Sequence, residues 1–207
     1  MLSKKQAEIL NLFRKSIFLK VSILGIAKLL KEKYYQRVYE STKALVKKDI
    51  LKSEKMGNTD QISFSWTDAA IANISFLDEE EAREKKLPHH DKILSIKEIK
   101  QYSILITGSY ARGEAKKSSD LDLVIIIPDD KKAIELQKLI ENKTLAEHPP
   151  IHSYAFNNKD FIEMLTSKEQ NYGKEIVKNH LLLKNAYIYY DILKEATFNE
   201  FNSKTLP

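Results

Sequence analysis

Cysteine is absent from the 207-residue chain. That excludes disulfide scaffolds, thiolate zinc sites and cysteine nucleophiles together, and it makes a reducing cytoplasm the natural setting. Glycine and proline are scarce, at five residues each, which rules out a collagen-like or low-complexity chain. No apolar run approaches the roughly 18 residues that a membrane helix needs, so no membrane partner is expected. The opening residues, MLSKKQAEIL, lack the apolar core of a signal peptide. What remains is 43% hydrophobic and 30% charged, an ordinary globular composition. The length allows one or two domains and a sizeable buried core.

The charge is unevenly spread. Residues 1–66 hold 14 basic and 6 acidic side chains, a surplus of +8, whereas 67–207 carry −3. A basic first third on a mildly acidic remainder suggests an anionic partner for that third, against the alternative of a lysine-rich solvated surface. Its pattern reads helix, helix, helix, hairpin. Ser3 caps a first helix with Ala7, Leu10 and Phe13 at helical spacing. Phe18-Leu19-Lys20 reads as a short strand, and Ser22 as the N-cap of a second helix over 23–31. A third helix, about 34–48, turns Tyr35, Val38, Thr42, Leu45 and Val46 inward and Gln36, Arg37, Glu40, Lys43 and Lys47 outward. Strands over 50–56 and 61–66 flank Gly57-Asn58-Thr59-Asp60, which supplies a hairpin turn.

This order resembles a winged helix-turn-helix domain. The resemblance implies that the third helix enters the DNA major groove and the hairpin lies along phosphates. It would place Gln36, Arg37, Lys43 and Lys47 toward DNA, with Lys52 and Lys55 on the wing. Winged helices also serve as docking modules, and that alternative stays open. Residues 67–100 read as a helical connector: one helix carries Ala70, Ile71, Ile74 and Leu77, and Pro88 breaks the pattern. A second helix carries Ile93, Leu94, Ile96 and Ile99. His89-His90 are adjacent and diverge on a helix, so Asp91 is read as a helix start rather than a metal ligand.

The chemistry concentrates in residues 102–127. An apolar strand, 102–107, runs into Gly108-Ser109-Tyr110-Ala111-Arg112-Gly113-Glu114, and Asp120-Leu121-Asp122-Leu123 opens a second apolar strand. Glycine directly after a strand lets backbone approach a bulky anion, and a helix starting there aims free N–H groups at it. Asp120 and Asp122 share one strand face, while Leu121 and Leu123 point into the core. Two carboxylates on one face beside an anion cradle suit a hard divalent cation.

The string GSYARGEAKKSSDLDLVI resembles the core motif of the nucleotidyltransferase superfamily, of the polymerase-beta-like minimal type, over about residues 90–165. The resemblance implies a small mixed-sheet α/β (α+β) fold in which Gly108 and Ser109 hold the phosphates of a nucleoside triphosphate. Asp120 and Asp122 would bind Mg²⁺ or Mn²⁺ and act as the catalytic carboxylates. Arg112 would neutralise phosphate, or pair with Glu114 or Asp120. Members usually supply a third carboxylate from a later strand. Here the next strand, Ile151-His152-Ser153-Tyr154-Ala155-Phe156, has no acid, and His152 or Tyr154 is left to substitute as a base. Lys174 or Lys178 would reach the triphosphate or remain solvated, and Tyr187, Tyr189 and Tyr190 read as packing residues.

The expected organisation is thus a winged helix over 1–66, a connector over 67–100 and a nucleotidyltransferase domain with C-terminal helices over 101–207. Metal-dependent transfer of a nucleoside monophosphate to an unknown hydroxyl acceptor is the leading function. The alternative is a DNA-binding regulator, or an antitoxin-like protein paired with a toxin, whose transferase domain is degenerate. A homodimer is compatible with either.

Overall fold

The computed structural model describes residues 2–206. The chain divides into two compact units, with the boundary between Leu77 and Asp78.

In the first unit, α1 (Lys4–Lys15) starts with a reciprocal capping box. The Ser3 hydroxyl accepts from the Gln6 backbone N–H, and the Gln6 side chain accepts from the Ser3 N–H. Its inner face is Ile9, Leu10 and Phe13, all buried. The short strand β1 is Val21–Ser22, just beyond the expected Phe18–Lys20, because its extent is fixed by pairing with Ile62 and Gln61. Ser22 also caps α2 (Ile23–Leu29), accepting from the Gly25 N–H at 3.1 Å. Helix α3 (Tyr35–Lys47) buries Val38, Thr42 and Leu45. Tyr35 was expected inward but is exposed: it is the first helical residue and its ring sits by Tyr39, centroids 6.1 Å apart.

Strands β2 (Leu51–Met56) and β3 (Thr59–Phe64) form a hairpin closed by Gly57 and Asn58, with Gly57 at φ +58°. The turn is thus two residues long, not four, because Thr59 and Asp60 already pair with Met56 and Lys55. The antiparallel sheet runs β1-β3-β2. Trp66 lies just past β3 and meets Phe64 edge-on, centroids 5.1 Å apart.

Helix α4 (Asp68–Glu84) contains the unit boundary. In the second unit, α5 (His90–Ser95) and a 3-10 turn (Lys97–Ile99) replace the single helix expected up to Lys100; Ile96 is extended and breaks it. Ile93, Ile96 and Ile99 are buried in the core cluster that includes the strands of the sheet. The sheet contains β4 (Ser103–Thr107), β5 (Leu121–Ile127), β6 (Ile151–Asn157) and β7 (Leu181–Lys184), in the order β6-β5-β4-β7. The one-turn helix α6 (Gly108–Arg112) follows β4. Strand β5 is antiparallel to β4 and parallel to β6, and α7 (Ala133–Thr144) carries the parallel crossover. Helices α8 (Asn158–Thr166), α9 (Tyr172–Lys178) and α10 (Ala186–Phe198) complete the unit.

The sheet is apolar on both faces. Ile104, Ile106, Leu121, Leu123, Ile125 and Ile127 pack on one side with Ile140, Ile93, Ile96 and Ile99. Leu105, Val124, Ile126 and Leu182 occupy the alternate positions and are also fully buried or nearly so. Continuous apolar strands of this kind are those covered on both faces. Tyr189 and Tyr190 are buried packing residues; Tyr190 donates its hydroxyl hydrogen to Asp78, and Tyr187 stays partly exposed. No helix of the described residues is long and apolar enough to cross a membrane.

Candidate active site

The geometry begins where β4 ends. Thr107 pairs directly with Asp122 across the β4–β5 ladder. The next residue, Gly108, has φ +66°, a conformation L side chains rarely adopt. A β-carbon there would lie 2.1 Å from Asp122 Oδ2, so glycine is what allows the turn to close against this carboxylate. Helix α6 ends at Gly113, φ +73°, and the Glu114 N–H bonds back to the Ser109 carbonyl at 2.9 Å. Ser119 fixes the following loop: its hydroxyl accepts from the Lys116 N–H at 2.9 Å. That loop delivers Asp120 to the mouth of β5.

Asp120 and Asp122 lie two residues apart at the start of β5, with Leu121 and Leu123 buried on the opposite face. Partial burial pushes the Asp122 carboxyl above the usual carboxylate range. The neighbouring Asp120 charge adds to this, while His152 and Arg112 act against it. A half-buried carboxylate whose charge is disfavoured in this way has the electrostatics that a bound cation relieves.

Strand β6 supplies the third group. Its parallel register sets His152 directly beside Asp122. The imidazole reaches both carboxylates: Nε2 is 3.8 Å from Asp120 Oδ2, and Nδ1 is 4.0 Å from Asp122 Oδ1. Among the described residues, no group of three or more His, Asp or Glu side chains is placed to hold a metal ion. Asp120 and Asp122, two carboxylates on one strand face beside the glycine turn, are oxygen donors of the kind a hard divalent cation takes.

Tyr172, at the start of α9, was not singled out from the sequence. Its hydroxyl shares a 2.8 Å hydrogen bond with Thr107 Oγ1, and its ring lies 5.1 Å from that of Tyr154. Tyr154 therefore packs on Tyr172 on the same strand face as His152. Burial raises the Tyr172 phenol above its ordinary range, against the opposing effect of the Thr107 bond. No local sequence pattern marks this contact, because 65 residues separate its partners.

Arg112 is exposed, and its Nε donates to Glu114 at 2.8 Å, one of the two pairings anticipated. Lys174 neither reaches the turn nor stays solvated. It is fully buried, and its ammonium donates to the Ser167 and Glu169 carbonyls at 2.5 and 2.9 Å. Lys178 lies 3.5 Å from Glu175. His89 and His90 do not converge on a common partner: His89 contacts Glu147 and the Pro149 carbonyl, and His90 contacts Asp91.

In the first unit, Gln36, Arg37 and Lys47 lie on the exposed surface of α3, and Lys52 and Lys55 on β2. Gln36 donates to Glu40 at 2.8 Å, Lys43 to Asp60 at 2.9 Å and Lys52 to Glu54 at 2.8 Å.

A small mixed sheet with a glycine turn after one strand and an Asp-x-Asp pair at the mouth of its neighbour defines a nucleotidyltransferase fold. Residues 89–184 match the family model of the nucleotidyltransferase domain, and the chain belongs to that family. The match starts at α5 and runs through β7, beyond the 90–165 span of the sequence resemblance, because β7 pairs with β4 inside the same sheet. Two proteins of Methanocaldococcus jannaschii, each named "Putative protein adenylyltransferase", are similar to the chain. One is 27% identical over 107 residues, covering 50% of this chain and 82% of the relative. The other is 44% identical over 59 residues, covering 27% of this chain and 67% of the relative. No solved structure matches.

Proposed function

We propose that the second unit transfers adenylate from ATP to a hydroxyl group of a protein acceptor. The observation that carries this reading is the Gly108–Asp122 contact, which sets the glycine turn directly against the carboxylate pair at the end of the β4–β5 ladder. Nucleotidyl transfer is the chemistry of the family; the adenylate and the protein acceptor follow the names of the two relatives.

In the reaction the acceptor oxygen forms a bond to the α-phosphorus, the bond from that phosphorus to the β-phosphate bridging oxygen breaks, and pyrophosphate leaves. The acceptor proton passes to solvent. Backbone N–H groups at Gly108 and Ser109 receive the β- and γ-phosphates, and the missing side chain at Gly108 keeps that approach open. Asp120 and Asp122 would hold the divalent cation. When bound, Mg²⁺ or Mn²⁺ supplies neutralisation of the triphosphate and acidifies the acceptor hydroxyl. Arg112 sits one helical turn from Gly108 and releases Glu114 to meet phosphate. Buried Leu121 and Leu123 anchor the strand, so the carboxylates need little reorganisation.

The test uses ATP labelled at the α- or the γ-phosphate, with Mg²⁺ or Mn²⁺ and protein, RNA and small-molecule fractions of a cell extract. Incorporation of the α-label alone into protein, lost in Asp120→Asn/Asp122→Asn, is the expected result. No α-label transfer to any fraction, or transfer intact in the double variant, overturns the reading.

A second reading concerns the first unit. Its order of helix, strand, two helices and hairpin on a β1-β3-β2 sheet, with its +8 surplus, supports a winged helix that binds DNA. The transferase would then be tied to a DNA site, or would serve as the sensor of a regulator. Absence of salt-dependent binding of the full chain to any duplex removes this reading.

A further inference from the structure

Four helices of this chain begin on a residue whose side chain bonds back to the helix. The side-chain oxygens of Ser3, Ser22, Thr67 and Asn171 each accept from the backbone N–H three residues on, at 3.1–3.3 Å. Thr107 stands at the same position before α6, in extended backbone, yet its side chain makes no such bond. Its hydroxyl shares its 2.8 Å hydrogen bond with Tyr172 instead. A threonine free to turn at that position sets its oxygen on the N–H two or three residues ahead, here Ser109 or Tyr110. Those amides belong to the glycine turn, so such a bond would close the turn with its own chain.

Tyr172 is held in place from two sides. Before it, Asn171 caps α9 and donates to the Met164 carbonyl at 2.7 Å, and the buried Lys174 ties down the Ser167 and Glu169 carbonyls. Its ring rests against Tyr154 and Phe156 of β6, with centroids 5.1 and 6.1 Å away. Its hydroxyl reaches the last residue of β4, two strands across the sheet.

We propose that Tyr172 is a positioning residue for the triphosphate: it holds the Thr107 hydroxyl off the glycine turn and so leaves the turn's amides to the phosphates of ATP. The proposal rests on the reading that this turn receives the triphosphate. Tyr172 acts through Thr107, by deciding whether the turn is open or capped by its own chain.

The experiment titrates ATP with Mg²⁺ into the full chain by calorimetry. It also follows hydrogen exchange of the Ser109 and Tyr110 amides by NMR without ligand. Wild type is compared with Tyr172→Phe, Thr107→Val and the double variant Tyr172→Phe/Thr107→Val. Phenylalanine keeps the ring against Tyr154 and Phe156, and denaturant unfolding checks that each variant is folded. Tyr172→Phe frees the Thr107 hydroxyl, and should weaken ATP about fivefold, the equilibrium weight of one side-chain cap, while slowing exchange of a turn amide. Thr107→Val alone has no hydroxyl to cap with, so it loses less affinity than Tyr172→Phe. The double variant regains most of the wild-type affinity and the faster exchange. A residue that merely packs gives the opposite, a double variant at least as weak as Tyr172→Phe. That result, an unchanged affinity in Tyr172→Phe, or an equal loss in Thr107→Val overturns the role of Tyr172 while wild-type ATP binding keeps the nucleotide site. No ATP binding by wild type overturns the nucleotidyl-transfer reading and the role of Tyr172 with it.

Discussion

Gly108 and Asp122 are held so close that a methyl group cannot fit between them: a β-carbon on Gly108 would stand 2.1 Å from Asp122 Oδ2. Two penalties therefore meet in Gly108→Ala. The backbone at φ +66° is strained for alanine, and the carboxylate must swing away. The expected outcome is a stability loss of about 1–3 kcal/mol in urea unfolding, together with loss of adenylate transfer. Gly113→Ala is the control. It also has positive φ but meets nothing within 4 Å, so it should lose stability with transfer retained.

The raised Asp122 carboxyl gives a pH signature in the protein without metal. A carboxyl whose folded-state pKa exceeds its unfolded value holds its proton more tightly when folded. Its ionisation therefore destabilises the fold, progressively as pH rises from the unfolded value through the folded one. Asp122→Asn removes that cost. Without added cation, the variant should melt higher than wild type above this window, with the difference vanishing below it. Thermal melts across pH 3–8, a range of about five units around the ordinary carboxylate value, check this. A variant that melts lower than wild type at neutral pH would show that the charge is stabilised rather than strained.

The buried Lys174 anchors the turn before α9. Its ammonium supplies hydrogen bonds to two carbonyls, from Ser167 and Glu169, and the residue is 0% exposed. Lys174→Met keeps most of the chain volume but leaves both acceptors unpaired. Each orphaned acceptor costs about 1–3 kcal/mol, partly offset by no longer burying a charge. A net loss of about 2 kcal/mol in denaturant unfolding is expected. A neutral result would mean that the desolvation of the ammonium cancels its two bonds.

How much of this was legible depended on the range of the interaction. The alternation Asp120-Leu121-Asp122-Leu123 and the glycine after β4 are local, and they foretold the strand–turn–strand core. The caps at Ser3 and Ser22 were legible for the same reason, since each cap bonds three residues ahead. His152 was legible from the sequence as a candidate base on a strand without an acid, but its place beside Asp122 was not. What sets it beside Asp122 is a parallel pairing reached through the whole α7 crossover, and no local pattern encodes that register. Lys174 was misread because lysine is rarely buried, and its partners are carbonyls that no side-chain pattern records. Ile93, Ile96 and Ile99 looked like one helix of a connector; their burial against the sheet bends the segment into two pieces.

The cations of the first unit are not equivalent, and this decides which ones a polyanion would use. Lys43 and Lys52 already bond Asp60 and Glu54, and these hydrogen bonds raise Lys43 and lower both partner carboxyls from their ordinary ranges. A phosphate must displace those carboxylates before it gains either lysine. Among the described residues, the side chains of Arg37, Lys47 and Lys55 close no hydrogen bond or ion pair, and all three are exposed. Each phosphate contact contributes about 0.9 to the slope of log affinity against log salt for duplex DNA. If the unit binds DNA, Arg37→Ala/Lys47→Ala should lower that slope by about 2. Lys43→Ala/Lys52→Ala should lower it by clearly less, because those two lysines are already paired with Asp60 and Glu54 and contact phosphate least. Fluorescence anisotropy of a labelled duplex across a salt series measures both. Equal slopes for the two double variants would show that the carboxylates do not compete with phosphate, and the ranking of the cations would fall.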